Sequence, residues 1–306
     1  MKTEVPAEIK ANLPDNLFGK VLGITPVVMT VIATLLAGLA SSEMTKAQYD
    51  RSLAAQQQSK AGDQWSFFQA KRLRGAIQSG TLDVVQVTTP PRAVDAPGLQ
   101  ALATSLPDAE QSRAALEFLL AGRLPEFEAA PVLPSNIRAA LEAIESSVPE
   151  PDLSRTVEAP TVGEVAAALR AAQDHARAFE VRMRPIIAGG DAFGDLLDPT
   201  GSARPGLIRD FATLRLRYSS LRYDAEARLN QSIAVLHELQ VRQSNLSAER
   251  HHRRSTRFFY GMLGAQAAVI IATLAMAARQ RSLLWSLAAL AGLIAVLFAV
   301  SVYLFL

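Results

Sequence analysis

Residues 258–278 read FFYGMLGAQAAVIIATLAMAA, and residues 283–306 read LLWSLAALAGLIAVLFAVSVYLFL; neither run holds an Asp, Glu, Lys or Arg. About 20 apolar residues suffice for a helix to cross the hydrocarbon core of a bilayer. Only Arg279–Ser282 separates the two runs, so together they predict a closing transmembrane hairpin. A third uncharged run, LGITPVVMTVIATLLAGLA, occupies residues 22–40. Gly23 and Pro26 weaken its start, and Gly38-Leu39-Ala40 has the small-residue pattern of a signal cleavage site. A polar tail, residues 1–21, precedes it, and the run is longer than the roughly 7–15 residues of a signal core. The expectation is therefore an uncleaved first span.

Working outward, these three runs account for the composition. The chain has 306 residues, 49% hydrophobic and 20% charged, with a mean hydropathy of +0.15. Every charge lies within residues 1–257 or at Arg279 and Arg281. That pattern excludes a purely soluble globule and a mainly disordered chain. With no cysteine, disulfides, thiolate metal sites and cysteine nucleophiles are excluded. Residues 43–257 carry 26 Lys/Arg against 26 Asp/Glu. A nucleic-acid binder would present a basic stripe without balancing acids, so no nucleic-acid partner is expected.

Small residues recur every four positions within the runs: Thr30, Thr34 and Gly38; Gly264, Ala268 and Ala272; Ala291, Ala295 and Ala299. Such spacing lets helix backbones approach closely in lipid and predicts a three-helix cluster. Gln266, the strongly polar side chain of the closing pair, is expected to make an interhelical hydrogen bond. No Asp, Glu, Lys, Arg or His lies within the three runs, which argues against a proton- or ion-coupled transporter. Lys2, Lys10, Lys20, Arg279 and Arg281 flank the spans on one side; Lys46, Arg51, Arg250, Arg253, Arg254 and Arg257 flank them on the other. Short loops govern orientation and long domains cross largely regardless of charge. The expectation is a cytoplasmic N-terminus and a residue 43–257 region on the outer side of a bacterial cytoplasmic membrane.

Between the spans, residues 43–79 predict a stalk helix that leaves the first span without a breaker and stops at Gly80. Residues 80–160 hold ten of the 16 prolines. This Pro-rich cap accommodates two short amphipathic helices. One starts near Pro107, buries Leu116 with Leu119 or Leu120, and stops at Gly122. The other shares Ile137, Leu141, Ile144 and Val148 on one face. LDVVQV, residues 82–87, is readable as a short strand. Thr161 and Glu164 form a capping box that opens a helix over 161–184, with Val165, Leu169, Ala172, Ala176, Phe179 and Met183 at 4-3 spacing and Pro185 as its stop. Eight Gly and Pro residues make 185–206 a linker. Residues 207–257 predict one long heptad helix through Leu207, Phe211, Leu214, Tyr218, Leu221 and Ala225, then, after a stutter, Leu229, Ile233 and Leu236. No Gly or Pro separates Leu207 from Tyr260, so the helix is expected to enter the second span unbroken. A heptad stripe requires a partner helix, from residues 43–79, from 161–184, or from another copy.

No catalytic constellation emerges. His175, His237, His251 and His252 lack metal-ligand spacing, no nucleotide-binding or nucleophile motif is present, and Glu164 and Asp210 have no visible acid–base partners. No cofactor is expected. The run RHHRRSTR, with Arg250, Arg253, Arg254 and Arg257, suits anionic headgroups beside a span. The patch DQWSFFQAKRLR, residues 63–74, crowds Trp65, Phe67 and Phe68 beside Lys71 and Arg72. It predicts either core packing or a protein–protein anchor, since Trp and Arg are enriched at hot spots.

The stretch SKAGDQWSFFQAKRLR, residues 59–74, resembles the signature of the bacterial membrane proteins called domain of unknown function 4337, and the basic Arg279-Gln280-Arg281 turn before Leu283-Leu284-Trp285 is similar to their closing hairpin. The resemblance implies one early span, a helical middle and two closing spans, and brings no established activity. The expectation is an all-α membrane protein with three transmembrane helices, a long coiled-coil-like stalk and a Pro-rich helical cap. Its expected role is non-enzymatic: a scaffold or accessory subunit assembled with itself or with other membrane-complex subunits. A signal-transmitting sensor and an oligomeric channel subunit are the alternatives.

Overall fold

The computed structural model describes residues 17–90, 92–106, 109–146, 148–197, 205–278 and 281–305. Eight helices and no strand occur among them: α1 (Leu17–Thr88), α2 (Ala96–Ala103), α3 (Ala109–Ala121), α4 (Ser135–Glu145), α5 (Glu150–Glu158), α6 (Val162–Leu196), α7 (Pro205–Ala277) and α8 (Arg281–Phe305). Three of them, α1, α7 and α8, are long and apolar enough to cross a membrane. Lys2, Lys10, Pro107, Arg279 and residues 198–204 lie outside the described residues. The chain divides into two compact units, Met1–Ala54 with Ser244–Leu306, and Ala55–Gln243.

The first unit is the three-helix cluster. Met29, Ala33, Leu36 and Ala40 of α1 pack with Phe258, Ala265 and Ala268 of α7 and with Ala295 and Val302 of α8. Glycine sets the closeness of this packing. A Cβ at Gly264 would lie 3.3 Å from the Ala291 carbonyl oxygen, and one at Gly261 would lie 3.1 Å from that of Ala295. Backbone approaches of this kind favour dispersion contact in lipid, where no hydrophobic force drives helices together. Gly264, Ala268 and Ala272 thus lie where the four-residue spacing places them. Thr30, Thr34 and Gly38 do not; all three are exposed. The Thr30 hydroxyl donates to the Pro26 carbonyl at 2.8 Å and that of Thr34 to the Thr30 carbonyl at 2.9 Å. Satisfied within their own helix, these hydroxyls need no partner helix, and the larger Met29 and Leu36 occupy the seam. Pro26 sits inside α1 without ending it.

The second unit builds its main apolar core from Leu99 and Ala103 of α2, Leu116 and Leu119 of α3, Phe179, Met183 and Phe193 of α6, and Phe211, Leu214 and Tyr218 of α7. The Thr161–Glu164 capping box opens α6 as expected. Its expected stop at Pro185 does not occur: α6 continues to Leu196 with Pro185 inside it. The expected linker is therefore largely helix. The apolar spacing explains why. Beyond Phe179 and Met183 it continues through Ile186, Gly190, Phe193 and Leu197, all buried. A Pro costs a helix interior about 3 kcal/mol and a Gly about 1, while each buried large side chain contributes about 1.5–3 kcal/mol. Gly189 has a packing role, since a Cβ there would meet that of Ala115 at 2.7 Å.

Three further differences concern boundaries. Gly80 does not end α1, and residues 82–87 are helix rather than strand, because Leu82 and Val85 keep the half-buried 4-3 spacing of the upstream turns. The Pro-rich segment holds four described helices rather than two; α2 and α5 were not expected. α3 stops at Gly122 as expected, with φ of +59°, a left-handed conformation that glycine adopts without a Cβ penalty. On α4, Ile137, Ala140 and Ala143 are the buried positions, and Val148 lies beyond the helix. α7 runs unbroken from Pro205 to Ala277, but Leu221 is exposed. A straight α-helix drifts against a 3.5-residue repeat, so the buried face passes to Ala227, Ile233, Leu236 and Leu239.

Candidate interaction surfaces

The α1 segment of the second unit runs antiparallel to α7, and the seam between them is polar. Nδ1 of His237 lies 2.9 Å from Oε1 of Gln57. Trp65 Nε1–H donates to Glu238 at 2.7 Å. Lys71 pairs with Glu226, and its ammonium lies 5.4 Å from the centre of the Tyr223 ring. The Ser220 hydroxyl faces the Gly75 carbonyl at 3.4 Å. The inward positions of α1 here are Gln57, Ala61, Gln64, Phe68, Lys71, Gly75, Gln78, Leu82 and Val85, an unbroken 4-3 heptad with few large apolar residues. That composition explains the weak apolar period of the sequence.

The aromatic patch is consequently split. Trp65 and Phe68, in edge-to-face contact at 5.3 Å, belong to the intramolecular seam with Lys71. Phe67 is exposed, and Arg72 makes an exposed 3.3 Å pair with Asp224. Phe67 instead begins an outward apolar stripe that includes Leu73, Ile77, Val84 and Val87, each between 54% and 86% exposed. Ala70, Leu73, Ile77, Gly80, Val84 and Val87 alternate at three- and four-residue steps, and Gly80 has open space where a Cβ would stand. Sequence reading passed over this second heptad because the expected stop at Gly80 and strand at 82–87 cut it in two.

Titratable groups are held by structural partners. Asp210, only 4% exposed, accepts from Arg92 and from the backbone N–H of Asp95, both at 3.0 Å. The Asp95 carboxylate in turn caps α2 through the Gly98 N–H. Glu164 serves the capping box, and its hydrogen bonds from Thr161 hold its carboxyl below the usual range. Burial lowers the His237 imidazole below its ordinary value, against a raising hydrogen bond with Gln240. Burial pushes the Tyr218 phenol up to about 12. A cleft of about 500 Å³ lies beside Gly190, Gly194, Phe211 and Tyr218; the Asp191 and Arg215 charges at its edge neutralise each other at 2.7 Å. Among the described residues no group of three or more His, Asp and Glu side chains is arranged to hold a metal ion.

In the first unit a polar belt follows the α1 span. Buried Glu43 accepts from Lys46 at 2.8 Å and lies 2.6 Å from Nδ1 of His251. Burial works to raise its carboxyl, but those two hydrogen bonds outweigh it and hold Glu43 below the usual carboxylate range. Ser247 donates to Asp50, and Ser255 to the Ala40 carbonyl, each at 2.7 Å. The basic run is not uniformly directed outward. Arg257 donates to the Ser301 carbonyl of α8 at 2.9 Å, and Arg253 pairs with Glu249 at 2.9 Å. Arg250 is exposed and Arg254 half-buried. Gln266 is exposed and takes no part in the seam of the three helices, contrary to expectation.

No curated protein and no solved structure matches the chain. A match to a known family covers the first span, the aromatic patch, the outward stripe, α2 and most of α3, and leaves the closing hairpin outside. Residues 18–117 match the model of the family described as Domain of unknown function (DUF4337), the one to which the sequence resemblance pointed.

Proposed function

We propose that this chain is a non-enzymatic integral membrane scaffold or accessory subunit that offers a helical docking face outside its spans. The observation that carries this reading is the outward stripe of Phe67, Leu73, Ile77, Val84 and Val87 on α1. Isolated exposed apolar residues are ordinary, but a contiguous stripe marks an interaction site, and heptad spacing selects a helix as its partner. Trp65, Phe68 and Lys71 then position the stripe by fixing the opposite face of α1 to α7, rather than acting as anchors themselves. The setting we propose is a bacterial cytoplasmic membrane with residues 43–257 on its outer side, and Arg250 and Arg253 near anionic headgroups.

The test is a double substitution in the stripe, Ile77→Glu with Val84→Glu. Each aliphatic side chain buried at a contact contributes about 1.5–3 kcal/mol, so two charges there are expected to weaken partner binding by at least about tenfold. Helical content should be unchanged, because both side chains are more than half exposed. An unaltered particle mass and composition would overturn the reading.

A further inference from the structure

Gln266 lies nine residues beyond Arg257, about 14 Å further along α7, well inside the uncharged run 258–278. The face of α7 turned to α1 and α8 is made by Gly261, Gly264, Ala265, Ala268 and Ala272. At 100° per residue Gln266 sits on the opposite face, and it is exposed there. Phe259, Leu263, Ile270 and Thr273 share that face and are exposed with it. Their spacing, 259-263-266-270-273, is an uninterrupted 4-3-4-3. Thr273 satisfies its hydroxyl on the Val269 carbonyl at 2.8 Å. Gln266 has no hydrogen-bond partner among the described residues. A primary amide carries two donors and an acceptor, and the hydrocarbon core has no water to receive them.

We propose that α7 pairs with α7 of a second copy along this stripe, each Gln266 amide hydrogen-bonding to the other. A lipid chain covers the apolar neighbours but leaves the amide unanswered. An identical helix answers it, because a twofold axis sets each residue against itself and an amide is complementary to another amide. Two copies inserted in one bilayer with the same orientation are parallel, so Gln266 faces Gln266 in register. The 4-3 spacing keeps the contact on one side as the helices wind around each other. The pairing rests on the integral-membrane part of the function proposed above and is independent of the α1 stripe.

Native cysteine is absent, so single cysteines in the full-length chain test the pairing by oxidative cross-linking in native membranes. Leu263→Cys and Ile270→Cys are expected to give a species of twice the chain mass. Ala268→Cys, on the inward face, is expected to stay at monomer mass. Adding Gln266→Leu to Ile270→Cys is expected to reduce the cross-linked fraction about fivefold, in keeping with interhelical amide bonds in membranes, while Gln266→Asn retains part of it. Equal cross-linking at all three positions, or no response to Gln266→Leu, would overturn the proposal. So would a cross-link to a protein of another mass, which would assign the face to a foreign subunit. The α1 stripe is read separately from particle composition. A particle that keeps its composition while the α7 cross-links fail rejects the pairing alone; one that forms the cross-links but ignores charges in the α1 stripe rejects the docking face alone.

Discussion

The two units hold their helices together with opposite chemistry. In the first, α1, α7 and α8 meet through alanine and glycine, close enough for Gly261 and Gly264 to lie against carbonyl oxygens of α8. In the second, α1 meets α7 through Gln57, Trp65 and Lys71 opposite His237, Glu238 and Glu226, while the large apolar residues pack elsewhere, among α2, α3, α6 and the beginning of α7. A polar seam contributes orientation more than cohesion, because each ion pair offsets its own desolvation. A helix attached by such a seam still carries apolar residues, and α1 presents Leu73, Ile77, Val84 and Val87 outward. The contrast locates the candidate docking face: within the second unit α7 has most of its large apolar residues packed inside the chain, and α1 leaves several of its own exposed.

This contrast can be broken at several points. The largest effect is expected in the apolar core of the second unit. Phe193 is fully buried and stacks on Phe211 with ring centres 5.2 Å apart, so Phe193→Ala should cost about 3–5 kcal/mol, read as a lower denaturation midpoint by circular dichroism. Next is the glycine seam. Gly264→Val forces a branched side chain against Ala291 and Ala295 and should cost about 1–3 kcal/mol. Gln266→Leu, two residues on, should leave the stability of the single chain unchanged; equal losses for the two would erase the distinction between inner and outer faces.

The polar contacts give smaller, pH-dependent effects. Glu43 has a folded-state pKa below 4.5, so its stabilisation is complete above that value and is lost as pH falls through the folded pKa. His237 has a folded pKa below 6.5. The unfolded chain then takes up the proton first, and stability falls as pH drops from 6.5 towards the folded value. Glu43→Gln should flatten the lower part of the pH–stability curve and His237→Gln the upper part. If neither substitution changes the curve, the polar groups are not thermodynamically engaged. Trp65→Phe removes the hydrogen bond to Glu238 and should cost about 1.5–3 kcal/mol at most. The smallest effect is expected for Arg72→Ala, whose exposed pair with Asp224 is worth less than about 1 kcal/mol.

Legibility in the sequence followed the same division. The spans, the unbroken α7 and the Thr161–Glu164 cap were readable, because each depends on a local or strongly apolar signal. Pro185 and Gly80 misled, since breaker residues state a local cost while buried Phe193 and Ile186 and half-buried Leu82 supply a tertiary gain that no local window contains. The polar α1–α7 seam was hidden for a related reason: Gln, Lys and Gly at heptad positions resemble solvated surface until the opposing helix is in place. The same holds for Asp210, whose partners Arg92 and Asp95 lie over a hundred residues away. Of the aromatic patch, residue content was readable, but which of Trp65, Phe67 and Phe68 faces inward was settled only by the position of α7.

The scaffold reading is tested most directly by the mass and composition of the native particle, extracted from its own membrane in mild detergent. The expected result is a particle of fixed stoichiometry heavier than one chain, with additional copies or another helical subunit seated on the α1 stripe. A single 32.9 kDa chain with detergent alone, stable and unaggregated, would contradict it.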